Sequence, residues 1–338
     1  MMNDDNLRKA VDLIGKSKTI LLTTHTKPDG DACGSVMAMH EALTALGKKT
    51  RLLMLSEIPE WYEFLFAEKV PVLGEDVTIE QLGQGQFGEA DLIMIIDTNS
   101  YSQMPKFDEF LRQNTKPILV IDHHVTTDEI GDGEMVDTSA AATALVVFEL
   151  LKYAKWPVTE KIARALFVAV ATDTGWFQFN NTDSRVHRTC ADLIEAGANP
   201  TQLHYTLYQN FSPQRFRLMA AMFNTLELHL DGRFATQYLR QVDFEQTGAV
   251  YNDTENLIDE CRRIGMVEAA ALFVELADGR IKCSLRSNDT IDVREIAAKF
   301  GGGGHTNAAG THLPGPLNKA TELILAEVTE HFKRLDAK

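Results

Sequence analysis

The sequence predicts an α/β fold, with a doubly wound, mainly parallel sheet in an N-terminal domain and a smaller α/β domain at the C-terminal side. Three observations point there. The runs "TILLTT" (19–24), "ADLIMIID" (90–97) and "KPILVID" (116–122) are apolar and largely unalternating, as central parallel strands buried on both faces should be. Segments of helical period alternate with them, the mark of βαβ units. The 338 residues exceed the usual size of one core, so two domains are expected.

In chain order, residues 6–15 carry Leu7, Val11 and Ile14 at helical spacing, ahead of the strand 19–24. Pro28 and Gly30 mark a turn, and a helix is expected over 33–46, with Val36, Met39, Leu43 and Leu46 on one face and Gly47 as its stop. "KTRLLML" (49–55) reads as the next strand, before the strands at 90–97 and 116–122 and helices at 139–153 and 159–171. Residues 184–228 read as mainly helical, closed at Gly197 and interrupted by Pro200 and Pro213. This suggests a catalytic domain over 1–190, a helical linker over 191–212 and a second domain over 213–338. In the latter, "FATQYLR", "AAALFVEL" and "RIKCSLRS" read as strands, and 253–263, 292–299 and 316–334 as helices.

A hydrophobic content of 44% with 24% charged residues fits a soluble globular protein. The net charge of −15 argues against holding long nucleic acid on a general basic surface, though not against a small phosphorylated ligand. Cys33, Cys190, Cys261 and Cys283 form no C-x-x-C pair, which suits reduced thiols and a cytoplasmic setting. The N-terminal stretch lacks a signal peptide's apolar centre, and no apolar run is long enough to span a bilayer. Composition leaves oligomeric state, including a homodimer, open.

The chemistry gathers at element ends. His25, Asp29 and Asp31 lie between the first strand and its helix. Asp97 ends one strand, Asp122 ends another with His123 and His124 directly after it, and Asp173 follows "LFVAVAT". In an open parallel sheet, side chains just past the carboxyl ends of central strands line the ligand crevice. Any one of these aspartates alone would read as a cap or turn former. Together, carboxylates so close would raise one another's pKa values unless cations neutralise them, and a mixed His/Asp set suits Mn²⁺ or another octahedral divalent ion. A second feature is "FGGGGHTNAAG" (300–310), with Arg286 and Ser287 upstream. Glycines admit a close backbone approach, and an arginine can fork onto a phosphate.

The motifs "HTKPDGDACGS", "IIDTNS", "IDHHVT" and "VATDTGWF", followed by "SLRSNDTIDVREIAAKFGGGGHTNAAG", resemble the DHH phosphoesterase family with its DHH-associated C-terminal domain. The likeness covers nearly the whole chain and is to the stand-alone nanoRNase and pAp phosphatase subgroup, where pAp is 3′-phosphoadenosine 5′-phosphate. It implies two ions, Mn²⁺ with Mg²⁺ or Co²⁺ as substitutes: one held by His25, Asp29 and Asp97, the other by Asp31, Asp97, His123 and Asp173. His124 would touch the substrate phosphate or leaving oxygen, and Asp122 would orient an imidazole. Arg286, Ser287, Gly302, Gly303, Gly304 and His305 would hold the nucleotide, with the active site in the cleft between domains.

The implied activity is hydrolysis of short oligoribonucleotides to mononucleotides and of pAp to AMP, with no membrane partner. The same site would serve c-di-AMP or linear dinucleotides such as pApA and pGpG. Inorganic pyrophosphate is disfavoured by the Arg-Ser and G-G-G-H signature. A non-catalytic nucleotide sensor would be expected to have lost a ligand, and none is missing.

Overall fold

The structure, a computed structural model, describes residues 3–85, 87, 89–288 and 291–337; for His305 only the backbone is described. The chain divides into two compact units, Met1–Asn210 and Phe211–Lys338.

The first unit runs α1 (Asp4–Lys16), β1 (Thr19–Thr23), α2 (Gly30–Ala45), β2 (Lys49–Leu52), α3 (Ile79–Gly83), β3 (Leu92–Ile96), α4 (Phe107–Gln113), β4 (Ile118–Asp122), β5 (Gly133–Val136), α5 (Thr143–Tyr153), α6 (Glu160–Asp173), α7 (Ser184–Glu195) and α8 (Pro200–Tyr208). Short 3₁₀ turns occupy Glu60–Leu65 and Tyr101–Gln103. The five strands are all parallel, in the order β2-β1-β3-β4-β5. The chain steps from β1 outward to β2 and then back to β3 on the other side of β1. The carboxyl ends of β1 and β3 therefore flank a topological switch point, where crossovers leave in opposite directions and a crevice opens. β3 and β4 are buried along their whole length, which explains their unbroken apolar sequences. One core face packs under α1, α2, α5 and α6, the other under α3 and α4.

The elements differ from expectation in ways the local chemistry explains. α2 begins at Gly30, not Cys33, because Asp29 caps it, its Oδ1 accepting from the backbone N–H groups of Asp31 (3.0 Å) and Ala32 (3.1 Å). α5 begins at Thr143, not 139, because residues 137–142 form a loop that serves the site. The segment 191–212, expected as a linker, runs through the end of α7 and through α8, whose Leu203 and Leu207 are buried in the first core.

The second unit comprises α9 (Pro213–Phe223), β6 (Glu227–His229), β7 (Phe234–Leu239), α10 (Gln241–Thr247), β8 (Ala269–Glu275), β9 (Arg280–Ser287), α11 (Val293–Ala298), β10 (Gly303–His305), β11 (Ala308–Pro314) and α12 (Leu317–Asp336). Its six strands lie in the order β10-β11-β9-β8-β7-β6, antiparallel except for β7 beside β8. The helix expected over 253–263 is instead two 3₁₀ segments, Tyr251–Thr254 and Leu257–Arg263, because Asn256 between them is left-handed at φ 56°. The glycine tract is no free loop. Gly303 and Gly304 pair with Gly310 and Ala309 in a hairpin.

Candidate metal centre

The candidate ligands are delivered by several elements of the first unit. Thr23 closes β1 and the chain turns through His25, whose Nδ1 lies 2.9 Å from the carbonyl of Thr26. That bond assigns the proton to Nδ1 and leaves the Nε2 lone pair free to face Asp97 Oδ2 at 3.6 Å. His123 repeats the device: Nδ1 lies 3.1 Å from the carbonyl of Ala140. Its Nε2 looks onto Asp173 Oδ2 (3.6 Å), Asp97 Oδ1 (3.7 Å) and Asp31 Oδ2 (3.9 Å). Two imidazoles anchored through one nitrogen, with the other aimed at carboxylates, are arranged as metal ligands usually are.

Asp31 and Asp97 are almost wholly buried. Asp31 sits in the first turn of α2 and faces the N-terminus of α5, accepting the backbone N–H of Thr143 at 2.5 Å and of Ala144 at 3.0 Å, as well as the Ser35 hydroxyl at 2.9 Å. A carboxylate at unsatisfied helix N–H groups is favoured by both hydrogen bonding and the helix dipole. Asp97 is the residue after β3 and is left-handed at φ 67°, a strained state for a non-glycine residue, and it turns the side chain back over the strand ends. The Thr143 hydroxyl donates to its Oδ1 at 2.8 Å. Thr143 thus touches both buried carboxylates, one through its backbone and one through its side chain. Sequence reading passed over it, and its one visible signal was its place in an apolar stretch following the strand-end aspartates.

Asp122, the last residue of β4, is fully buried and organises the turn after it. Its Oδ1 accepts from the backbone N–H groups of His123 (2.8 Å) and His124 (3.2 Å) and from His124 Nδ1 (2.8 Å). His124 is therefore oriented by Asp122, while remaining about one-third exposed. Asp173 ends α6, which crosses α2 at very short range. A Cβ on Gly34 would meet the Ala165 carbonyl oxygen at 2.3 Å, and one on Gly30 the Thr172 Oγ1 at 2.2 Å. Two glycines four residues apart let the helices touch backbone to backbone, which carries Asp173 into reach of the residues on α2.

Three overlapping donor groups result: His25, Asp29 and Asp97; Asp31, His123 and Asp173; and Asp97, His123 and His124, each with its ligand atoms within 4.8 Å of one another. Among the described residues no lysine or arginine ion-pairs with Asp31, Asp97 or Asp173; their ion-pair partners are histidines. The electrostatics follow. Burial, and then the neighbouring carboxylates Asp31 and Asp29, hold the Asp97 carboxyl well above its ordinary range. Burial followed by Asp31 pushes Asp173 up to about 7. Burial also raises Asp31. For His123 burial pulls downward, but Asp31, Asp97 and Asp173 together outweigh it and the net shift is upward. The Asp122 hydrogen bond raises His124. Unpaired buried carboxylates combined with lone-pair imidazole nitrogens make a donor set that fits divalent cations taking oxygen and nitrogen.

The residues expected at the nucleotide in the second unit divide into two kinds. Arg286, on β9, is partly exposed, with its Nε 3.5 Å from Asp259 and Nη1 donating to the carbonyl of Leu285. Gly303 has open space where a Cβ would stand. By contrast the Ser287 hydroxyl is buried and donates to the carbonyl of Ile291 (2.7 Å) and to Asn307 (3.3 Å), so it holds a turn instead of facing outward. Gly302 and Gly304 also have structural reasons: Cβ atoms there would meet the carbonyl oxygens of Gly310 at 2.2 Å and Ala308 at 2.4 Å. The His305 side chain lies outside the described residues.

The family model described as DHH family, N-terminal domain, matches residues 19–171, and that of the DHHA1 domain matches residues 231–334. The chain is 31% identical over 322 residues to the bifunctional oligoribonuclease and PAP phosphatase NrnA of Thermus thermophilus, covering 93% of this chain and 90% of that protein. A crystal structure of an exopolyphosphatase-related protein from Bacteroides fragilis aligns at a TM-score of 0.91 with 21% identity, over 99% of each chain. RecJ of Thermus thermophilus, crystallised in complex with Mn²⁺, aligns at 0.53 with 13% identity, over 96% of this chain and 55% of that one. The two structural likenesses speak for the fold alone. Among the described residues, no helix is long and apolar enough to cross a membrane.

Proposed function

The chain belongs to the DHH family, and from that premise we propose that it is a divalent-metal-dependent phosphohydrolase that degrades oligoribonucleotides of a few residues to mononucleotides and converts pAp to AMP. The observation that carries the reading is the convergence of Asp29, Asp31, Asp97 and Asp173 with His25 and His123 at one sheet end, in a chain matched along its length by a relative named for both activities. In this proposal His25, Asp29 and Asp97 hold one ion and Asp31, Asp97, His123 and Asp173 the other. Manganese is the favoured ion because the donor set mixes imidazole with carboxylate. A cytoplasmic setting, supported by four unpaired buried cysteines, belongs to the same proposal.

Two such ions, when bound, activate water and neutralise charge developing on the phosphoryl oxygens. The chain's own residues do the rest. Asp97 suits a bridging position because its two oxygens face different imidazoles, Oδ2 toward His25 and Oδ1 toward His123 and His124. Thr143 fixes the rotation of that carboxylate by donating to Oδ1. The hydrogen bond to Asp122 orients the His124 ring and raises its basicity, so that in its protonated form its Nε2–H can give a proton to the leaving oxygen. Arg286 and Gly303 of the second unit are proposed to hold the outlying part of the substrate, which needs few cations and agrees with a net charge of −15.

The test is steady-state turnover with Mn²⁺ on pAp, an RNA dimer, an RNA 24-mer and c-di-AMP. Efficient turnover of the dimer and pAp, with little of the other two, is expected. A preference for c-di-AMP would replace the reading with second-messenger hydrolysis at the same site, and wild-type turnover by Asp97→Ala would overturn the bridging assignment.

A further inference from the structure

The polypeptide immediately after Asp173 is built in an unusual way. Gly175, Trp176 and Phe177 are three consecutive left-handed residues, at φ 55°, 56° and 67°. Glycine adopts that state freely, whereas a bulky aromatic does so only when its surroundings impose it. The turn is pinned by the Trp176 N–H on the carbonyl of Ala171 (2.6 Å), and by Asn181, which donates to the carbonyls of Asp173 (3.1 Å) and Ala141 (3.3 Å). Backbone strain of this kind clusters at functional sites.

The strain sets Trp176 into the wall of a groove on the first unit. The groove encloses about 330 Å³ and is lined by Trp176, Pro200, Thr201, His204, Tyr205 and Gln209. The Trp176 ring meets His204 edge-on at 4.9 Å and Tyr208 at 5.5 Å, and His204 and Tyr208 lie 5.2 Å apart. Packing accounts for part of this cluster, since Trp176 also touches Phe167 and the core. It does not account for Tyr205, a residue 58% exposed at the groove rim.

We infer that this groove is a nucleobase-stacking subsite for the substrate strand, an inference that rests on the proposed oligonucleotide activity. Its volume is at the small end of ligand pockets, suited to one flat heterocycle. Its walls offer aromatic and proline surface, and Thr201 and Gln209 supply polar groups for a base edge. Aromatic side chains bind single-stranded bases without regard to sequence because every base has a π-face. Position agrees with this. Trp176 lies three positions after Asp173, so their Cα atoms are at most about 11 Å apart, roughly the length of three stacked bases at ~3.4 Å each. A base one to three nucleotides from the scissile phosphate is within reach. The subsite would favour short RNA over a single nucleotide without adding any positive charge.

The test uses the full chain with Mn²⁺ and pAp, RNA dimer, trimer and pentamer as substrates, comparing wild type with Tyr205→Ala and Trp176→Leu. The ratio of the KM for trimer to that for pAp is expected to rise at least about 5-fold in both variants, the lower end of measured base stacking, with kcat changing less than KM. Because Trp176→Leu could disturb the turn, the exposed Tyr205 variant decides. In parallel, the metal-free protein is titrated with RNA trimer while its tryptophan fluorescence is followed; quenching is expected in wild type and its loss in Trp176→Phe. An unchanged KM ratio in Tyr205→Ala, or quenching that survives Trp176→Phe, overturns the subsite. Trimer-dependent quenching in a protein that turns over neither RNA nor pAp would keep the subsite and reject the proposed activity.

Discussion

Carboxylates as close as Asp31, Asp97 and Asp173 cannot all ionise in a buried pocket without a cation, and their raised pKa values state that conflict. The sign of the pH effect follows. Asp173 titrates near 7 in the fold against an ordinary 3.8, so its neutral form is favoured there; the stability this contributes is present below about 4 and is lost as pH rises through 7. Metal takes the place of those protons. The gain in thermal midpoint on adding Mn²⁺ to chelator-treated protein should therefore widen from pH 5 to pH 8, and a gap that narrows would count against the site. Thr143→Val tests the second tier. It keeps the side-chain shape and the backbone N–H to Asp31 but removes the 2.8 Å donor to Asp97. A roughly 10-fold loss of metal affinity by titration calorimetry is expected, restored by Thr143→Ser.

Helix α2 does more for the site than its amphipathic pattern suggested. Its cap is Asp29, its first turn carries Asp31, and its Gly30 and Gly34 let α6 approach until Asp173 arrives. Gly34→Ala would place a methyl 2.3 Å from the Ala165 carbonyl oxygen, and backbone must shift to relieve it. A loss of about 1–3 kcal/mol in denaturant unfolding is expected, together with weaker metal binding, because the same shift moves Asp173 away. Elements with a strong apolar signal, such as β1, β3, β4 and α6, were legible from sequence to within a few residues. β5, β10 and the short α3 and α4 were not. Four-residue β5 and glycine-rich β10 carry too little periodicity, and pairing with a neighbouring strand is what makes them strands.

At the scale of the molecule, each unit has its own buried cores: one pair on the two faces of the parallel sheet, another on the two faces of the mixed sheet. No described hydrogen bond or ion pair needed by the metal-centre residues comes from the second unit. A fragment ending at Asn210 should therefore melt cooperatively and still gain stability from Mn²⁺, while turning over an RNA dimer far more slowly than the full chain. Equal turnover would remove the second unit from substrate binding. From sequence alone came the fold class, the two-domain plan and the set of aspartates and histidines at strand ends, because burial on both faces and the carboxyl-end crevice each leave a local mark in residue order. Only the tertiary structure decided how those residues meet: the left-handed turn at Asp97, the Ala140 carbonyl on His123, Thr143 between two carboxylates, and the α2–α6 contact that brings Asp173 in. These depend on atoms far apart in the chain, and no periodicity within one segment encodes a distance to another.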